Sequence, residues 1–454
     1  MGKVLIIGGG ASGRVATHKA AQIPEVFSDI TLASRSLEKP YLIQAEVREK
    51  RGRDINVEQV DADQTSEVVN LINKTKPEVV IHVALPYQNF PIMDACLETG
   101  VHYIDTATPE VREKPGFDYK GQWAYDDKFK EKGLMALLGC GFDPGVTSVY
   151  TAYAKKHFLD KIQFLDILDC NAGSHGRTFA TNFDPEINIR EITLPPRHYD
   201  KKKGGWVQTP SIVDRDSIHQ TFDFPVTGKK EAYLLYHEEL ESLVEHYPEI
   251  ERARFWMTFG ENYLSHLRAF IKYGVNSSTP LEFDSNEVSP KEMIKRISET
   301  SQRGLFFLNH LMFDKIGLLS EEKIKFSSNR ISPVVMLGAV LPKPETLGSG
   351  YMGKTVIGNI MWGEFHGEPR SVYIYNVSDH AKCFQEIGCQ GISYTAALPS
   401  VIGAKMIMTG EWKGSGVFNL EQLDPDHFMR DMDRYGLPWE VEEFSRKFIK
   451  DFGD

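Results

Sequence analysis

The first third of the chain alternates short apolar runs with amphipathic stretches. Val4 to Ile7 is a run of Leu and β-branched residues, followed by Gly8-Gly9-Gly10-Ala11-Ser12-Gly13 and a helical stretch from Arg14 to about Ile23. Asp29 to Ala33 and Ile55 to Val60 read as the second and third strands, and a helix over Glu67 to Lys74 precedes a fourth, Val79 to Val83. A helix around Ile92 to Glu98 leads to a fifth strand, Val101 to Ile104; a sixth, Met135 to Leu138, runs into Gly139-Cys140-Gly141. Strands apolar along their whole length and separated by helices belong to a parallel sheet covered on both faces.

From about Val146 the rhythm changes. Phe164 to Cys170, Arg254 to Phe259 and Val372 to Val377 alternate in polarity between long loops rich in Gly, Pro and Asn, which predicts a second domain with an antiparallel sheet. The end of the chain reads as helical, from Ser393 to Thr409 and from Pro425 onwards. At 454 residues the chain is too long for one ordinary core. The predicted fold class is therefore α/β: a Rossmann-type doubly wound parallel sheet over 1–145, with 393–454 returning to it, plus an α+β domain over 146–392 with a mostly antiparallel sheet.

A near-repeat lies inside that second domain. Lys272 to Pro290 aligns without gaps to Lys315 to Pro333 with eight identities in nineteen, and Tyr263 to Leu267 matches Phe307 to Leu311 after a one-residue gap. A local duplication is the simplest account, and it predicts that one copy is an insertion outside the core fold. Two copies are too few to stack into a solenoid.

The formal charge of −11 argues against a nucleic-acid partner and against an anionic membrane surface, each of which needs a basic face. No apolar run approaches the roughly 18 residues that span a bilayer. The N-terminus goes straight into Lys3 and Val4, which read as a first strand and not a signal peptide, and Ile6 stands where a myristoylation motif needs Ser or Thr. Cys96, Cys140, Cys170, Cys383 and Cys389 include no C-x-x-C pair; they are expected to be reduced thiols in a cytoplasmic protein without a structural metal.

Gly8-x-Gly10-x-x-Gly13 follows a predicted strand and opens a helix, the context that gives this motif meaning. Gly8 permits the tight turn, Gly10 lets backbone approach a pyrophosphate and Gly13 allows close helix–strand packing; Ala11 and Ser12 supply N–H groups at the positive helix end. An NAD enzyme carries an acid at the end of the second strand, but here that strand ends Leu32-Ala33-Ser34-Arg35-Ser36. Ser34 and Arg35 can donate to a 2′-phosphate that a carboxylate would repel, so NADP(H) is the expected cofactor. Asp61 and Asp63 would flank the adenine. Ala84-Leu85-Pro86, Asp105-Thr106 and Phe142-Asp143, all at strand ends, should converge on the nicotinamide, with a plain turn role open for each.

These strings, with Val83-Ala84-Leu85-Pro86-Tyr87 and Gly139 to Gly145, resemble the saccharopine dehydrogenase superfamily. In the second half Asp169 to Gly176, Phe179 to Asn188, Tyr236 to Leu243, Phe255 to Gly260, Ile374 to His380 and Gly416 to Asn419 look like the carboxynorspermidine/carboxyspermidine dehydrogenase family, a likeness that covers nearly the whole chain. The departure is a segment around 275 to 330 that coincides with the duplication. The resemblance implies reductive condensation of L-aspartate β-semialdehyde with a diamine (1,3-diaminopropane or putrescine), a discontinuous Rossmann domain to which Thr395 to Ala404 returns, and a homodimer.

Such a reaction needs a clamp for an α-amino acid, carboxylates for a protonated amine and a proton carrier. Asn171, Asn182, Arg190 and Arg254 are candidates for the first, Glu238 and Glu241 for the second, and His237, His175 and Asp143 for the third. Glu238, Glu239 and Glu241 also fit the wet face of an amphipathic helix, and Arg254 among aromatics also fits a packing role. No G-x-S-x-G elbow or P-loop is present, which sets aside hydrolysis and phosphoryl transfer. A saccharopine- or lysine-type dehydrogenase and a non-catalytic NADPH-binding regulator are the alternatives.

Overall fold

The computed structural model describes residues 2–111, 116–300 and 310–444. Six strands of the first part form a parallel sheet: β1 (Gly2–Ile7), β2 (Phe27–Ser34), β3 (Asn56–Gln59), β4 (Val79–His82), β5 (His102–Asp105) and β6 (Met135–Leu138), in the order β6-β5-β4-β1-β2-β3. Val79 to His82 are buried throughout, because helices cover both faces of the sheet. The strand order reverses between β1 and β4, and the loops after the carboxyl ends of these strands open onto one crevice.

The second sheet is built from β7 (Lys161–Asn171), β8 (Arg197–Asp200), β9 (Gly205–Gln208), β10 (His219–Phe224), β11 (Gly228–Leu235) and β12 (Arg252–Thr258). Four two-residue strands follow, β13 (Leu281–Glu282), β14 (Glu287–Val288), β15 (Ile324–Lys325) and β16 (Arg330–Ile331), and then the long hairpin of β17 (Lys354–Phe365) and β18 (Glu368–Asp379). The main path runs β10-β11-β12-β7-β17-β18, antiparallel except where β12 lies parallel to β7.

The chain end departs from the sequence expectation. A seventh strand of the first sheet, β19 (Gly416–Asn419), pairs in parallel with β6. Beyond the helix Asp426–Tyr435, β20 (Trp439–Phe444) joins β18 in the second sheet, so 393–454 does not return wholly to the first domain and is not helical from Pro425 onwards. The reason is two-residue periodicity: Trp439 and Val441 pack on the core, while Tyr375 OH donates to Glu440 at 3.0 Å and Glu442 at 2.7 Å. Residues 445–454 lie outside the described part.

The two sheets share a keystone. Helix Gly391–Met408 is apolar on nearly every side despite Pro399, and it packs on helix Ala11–Ala21, on β4 and β5, and on β17 and β18. Among the described residues no helix is long and apolar enough to cross a membrane, and all five cysteines are buried and unpaired.

The repeat folds as an exchanged pair. β13 of the first copy pairs with β16 of the second, and β14 with β15. Asn286 Nδ2 donates to Phe326 O and its counterpart Asn329 Nδ2 to Phe283 O, both at 2.9 Å. Equivalent residues make equivalent bonds, so neither copy is an appendage, and Val288, Ile297, Phe313 and Ile331 belong to the main core. The upstream match from Phe307 to Asn309 falls outside the described residues.

Candidate active site

A cleft of about 490 Å³ runs between the two sheets. Its first end is made of backbone. Gly8 has φ +129°, and Gly13 sits so close to it that a side-chain carbon there would lie 1.7 Å from the Gly8 carbonyl oxygen. The helix therefore begins at Ala11, three residues earlier than the apolar pattern places it, with no side-chain cap on its first turn. Gly8, Gly10, Ala11 and Ser12 line the cleft, and a Cβ on Gly10 would meet nothing within 4 Å. Ser34, Arg35, Ser36 and Lys39 line it where β2 ends, with no acid at that strand end. An unpaired helix start beside open glycine backbone, with two hydroxyls and two cations further out, fits the pyrophosphate and 2′-phosphate of NADP(H).

The other end is made of titratable side chains. His237, Glu238, Glu191, Asp143 and Asn182 line the cleft beside Ala84, Leu85, Pro86, Thr106 and Phe142. His237 Nδ1 bonds to the buried carboxylate of Glu239, whose other oxygen accepts from Thr147 Oγ1 at 3.2 Å, and the ring stacks on Phe255 with centroids 4.3 Å apart. That contact turns Nε2 the other way, where it lies 3.7 Å from Glu191 Oε1. Burial opposes charge on His237, yet Glu239, Glu238 and Glu191 hold its imidazolium well above the ordinary value. Glu238 Oε1 accepts from the N–H and hydroxyl of Thr108 at 3.3 and 3.4 Å.

Burial pushes Glu191 up to about 7, and the nearby Glu238 and Glu110 add to the shift. Asp143 and Asp169 form a second carboxyl pair. Burial and the neighbouring Asp169 carry Asp143 far above the usual range, and burial brings Asp169 up to about 6. Glu191, His237 and Glu238 each present one polar atom, all within 4.8 Å of one another; the two carboxylates can accept from an ammonium group, while the protonated ring of His237 donates.

Other expected site residues lie elsewhere. Gly13 supports the turn from behind. Asp105 is in the sheet core, where Gly139 N–H, Gln122 Nε2 and Tyr103 OH donate to it at 2.7, 2.6 and 3.0 Å. At the end of β3 it is Val60 and Ala62 that line the cleft; Asp61 and Asp63 do not, and Asp61 Oδ1 accepts from Asp63 N–H at 3.2 Å.

Arg190 is buried and spent, donating to Glu110 at 2.8 Å, Val111 O at 2.8 Å and Glu186 at 3.4 Å. Arg254 grips Asp166 with two bonds, 2.6 and 2.9 Å, within the second sheet. Glu241 is buried but does not line the cleft; it pairs with the part-exposed Arg197, which rests on the Tyr236 ring. His175 meets Tyr351 edge-on and accepts the Arg177 N–H at 3.0 Å, and burial lowers its basicity. Asn171 reaches the cleft only at second hand: it donates to Tyr351 OH at 2.8 Å, which donates to Asn182 at 3.0 Å.

Helix direction explains both errors and omissions. Arg190 and Glu191 are adjacent, about 100° apart on the helix Pro185–Ile192, and only Glu191 points into the cleft. Glu239, which orients the histidine, is two residues from it in sequence, but no motif marks it.

Two family models match the chain: the saccharopine dehydrogenase NADP binding domain over residues 4–137, and the saccharopine dehydrogenase C-terminal domain over 141–437. The chain is 44% identical to carboxyaminopropylagmatine dehydrogenase of Synechocystis over 439 residues, 97% of each chain. It is 38% identical to carboxynorspermidine synthase of Vibrio cholerae, again over 97% of each. The fold matches saccharopine dehydrogenase (L-Glu forming) from Saccharomyces cerevisiae with a TM-score of 0.66 at 14% identity, covering 98% of this chain and 100% of that one. The glycine cradle, the acid-free β2 end and these likenesses together place the chain in the saccharopine dehydrogenase family, as an NADP-dependent oxidoreductase.

Proposed function

We propose that this enzyme condenses L-aspartate β-semialdehyde with a primary amine of the polyamine class and reduces the resulting imine with NADPH. The amine is 1,3-diaminopropane, putrescine or agmatine, the last brought in by the name of the 44%-identical relative. The observation that carries the reading is one continuous cleft with a phosphate cradle at one end and Glu191, His237 and Glu238 at the other. Oxidation of an uncharged alcohol has no use for two carboxylates beside one histidine, whereas a cationic amine does.

NADPH, when bound, supplies the hydride that turns the C=N bond into the secondary amine. The protein's own residues manage protons and charge. The attacking amine must first lose a proton, and Glu191 is poised to take it near neutral pH. His237, with Nδ1 held by Glu239, gives a proton from Nε2 to the carbinolamine oxygen so that it leaves as water. Glu191 passes the proton it took to the vacated Nε2 of His237, 3.7 Å away, and, ionised again, faces the iminium cation together with Glu238 and lowers its cost. Asp143, sharing a proton with Asp169, is a second donor, and Asn182, fixed by Tyr351, offers a hydrogen bond to the amino-acid end. The assembly is a homodimer in the cytoplasm under this reading.

The test is NADPH consumption with aspartate semialdehyde and each of the three amines, run beside lysine with 2-oxoglutarate. Turnover with at least one polyamine-class amine and none with the lysine pair is expected. Turnover only with lysine would move the enzyme to a saccharopine-type reaction, and binding of NADPH without turnover in any mixture would make it a regulator.

A further inference from the structure

The outer end of the cleft holds an ion pair that joins the two domains. Lys39, in the first turn of helix Glu38–Arg51, pairs with Glu345, in the short turn Pro344–Thr346 of the second domain. Both line the cleft, as do Ser34, Arg35, Ser36 and Lys343. The Lys39 side chain is 50% exposed and that of Glu345 20%, so the pair sits at the mouth and not in the core. The ammonium of Lys343 is held by Gly338 O at 2.9 Å. Among the described residues the Arg35 guanidinium has no partner, and it stands two residues from the end of Leu32-Ala33, where the 2′-phosphate of NADP(H) is expected.

The charges at this mouth do not suit one another once a nucleotide enters. A 2′-phosphate carries close to two negative charges and seeks every cation within reach. Lys39 is within the same lining, but Glu345 already occupies it, and a carboxylate facing a phosphate is repelled. We propose that Lys39 is a specificity-determining residue for the phosphorylated nucleotide, and that Glu345 is its competitor, displaced when the phosphate takes the lysine over. The second domain is thereby let go at this edge by NADP(H) and not by NAD(H). The inference rests on the cofactor assignment alone, not on the identity of the amine.

The experiment measures dissociation constants of NADPH and NADH by nucleotide fluorescence, with no amine or aldehyde present. Glu345→Gln should tighten NADPH about fivefold and leave NADH unchanged, the size expected of a partly exposed charge. Lys39→Ala should weaken NADPH about tenfold, since it both removes a cation and leaves Glu345 facing the phosphate; the double variant should lie between wild type and Lys39→Ala. The proposal is overturned if Glu345→Gln shifts both nucleotides alike or neither, or if Lys39→Ala costs NADH as much as NADPH. Arg35→Ala is the control: if it leaves NADPH affinity untouched, the 2′-phosphate does not sit at this strand end, and the proposal is overturned with its premise.

Discussion

The two ends of the cleft are built from different materials. The nucleotide end is backbone: an N–H-rich helix start, a glycine with positive φ and a glycine with no room for a side chain. The amine end is side chains, His237 among Glu191, Glu238, Glu239, Asp143 and Asp169, drawn from four separate stretches of chain. A backbone site binds by shape and partial charge and carries no proton. A buried cluster of acids around one base stores protons at values shifted by burial, which is what imine formation consumes. Binding and chemistry are thus divided along the cleft, and substitutions at the two ends should fail in different ways.

The largest effect is expected at the amine end. His237→Ala should lower kcat by roughly 10² to 10⁴ while NADPH affinity stays within about twofold, because the ring is the proton carrier and touches no part of the phosphate cradle. Stopped assays for turnover and fluorescence titration for binding separate the two readouts; undiminished turnover would dismiss the histidine. At the other end, Gly13→Ala forces a carbon to within 1.7 Å of the Gly8 oxygen, so the helix must back away from the strand. NADPH binding should weaken by about two orders of magnitude or more. If Gly13→Ala binds as wild type does, the cradle is not where the nucleotide sits.

The difference also has a pH signature. Burial pushes Asp105 up to about 7, as it does Glu191. A carboxyl whose folded value is raised holds its proton more tightly in the folded chain, so its contribution to stability is lost as pH climbs from the unfolded value of about 4 to about 7. A histidine raised by its carboxylate neighbours acts in the same sense: its contribution is present below about 6.5 and lost above, as pH passes the folded value. The nucleotide-free enzyme should therefore melt lower near about pH 8 than near about pH 6, and Asp105→Asn should flatten that slope. A melting temperature that rises across this window contradicts the assignment of raised values. For turnover, the limb rising with pH through about 7 belongs to Glu191, and Glu191→Gln should abolish it.

What the chain announces in its sequence follows the same division. The parallel sheet, the glycine turn and the acid-free end of β2 were legible because local pattern determines them: apolar runs, spacing of glycines, one residue type at one strand end. β20 was not, since its three acids, Glu440, Glu442 and Glu443, hide an alternation of only Trp439 and Val441 that matters once β18 is beside it. The amine end was half legible. His237, Glu238, Asp143 and Asn182 stand in the cleft, but Arg190, Arg254 and Glu241 looked equally free in sequence and are each held by a partner distant along the chain, at Glu110, Asp166 and Arg197. Glu191 and Glu239 went unmarked for the complementary reason: the pairing of their neighbours with residues distant along the chain, such as Arg190 with Glu110, decides which charge is left for the substrate, and no spacing reveals it.

The smallest predicted effect tests that last point. Glu238 and Glu241 are three residues apart, near enough on a helix to share a face, yet the first bonds to Thr108 at the cleft and the second to Arg197 at the rim of the second sheet. Glu238 is the N-cap of the helix Glu239–His246 and already helical in its backbone angles, so Glu241, three residues on, lies about 60° round the axis and nearly a turn further along. Glu238→Gln should raise KM for the amine by about tenfold, because a buried carboxylate facing a cation is lost. Glu241→Gln should change neither KM nor kcat beyond about twofold, because its carboxylate pairs with the part-exposed Arg197 and does not line the cleft. If both substitutions raise the KM for the amine alike, the acidic stretch after His237 acts as a diffuse field and not as one placed carboxylate, and the amine end would owe its selectivity to net charge.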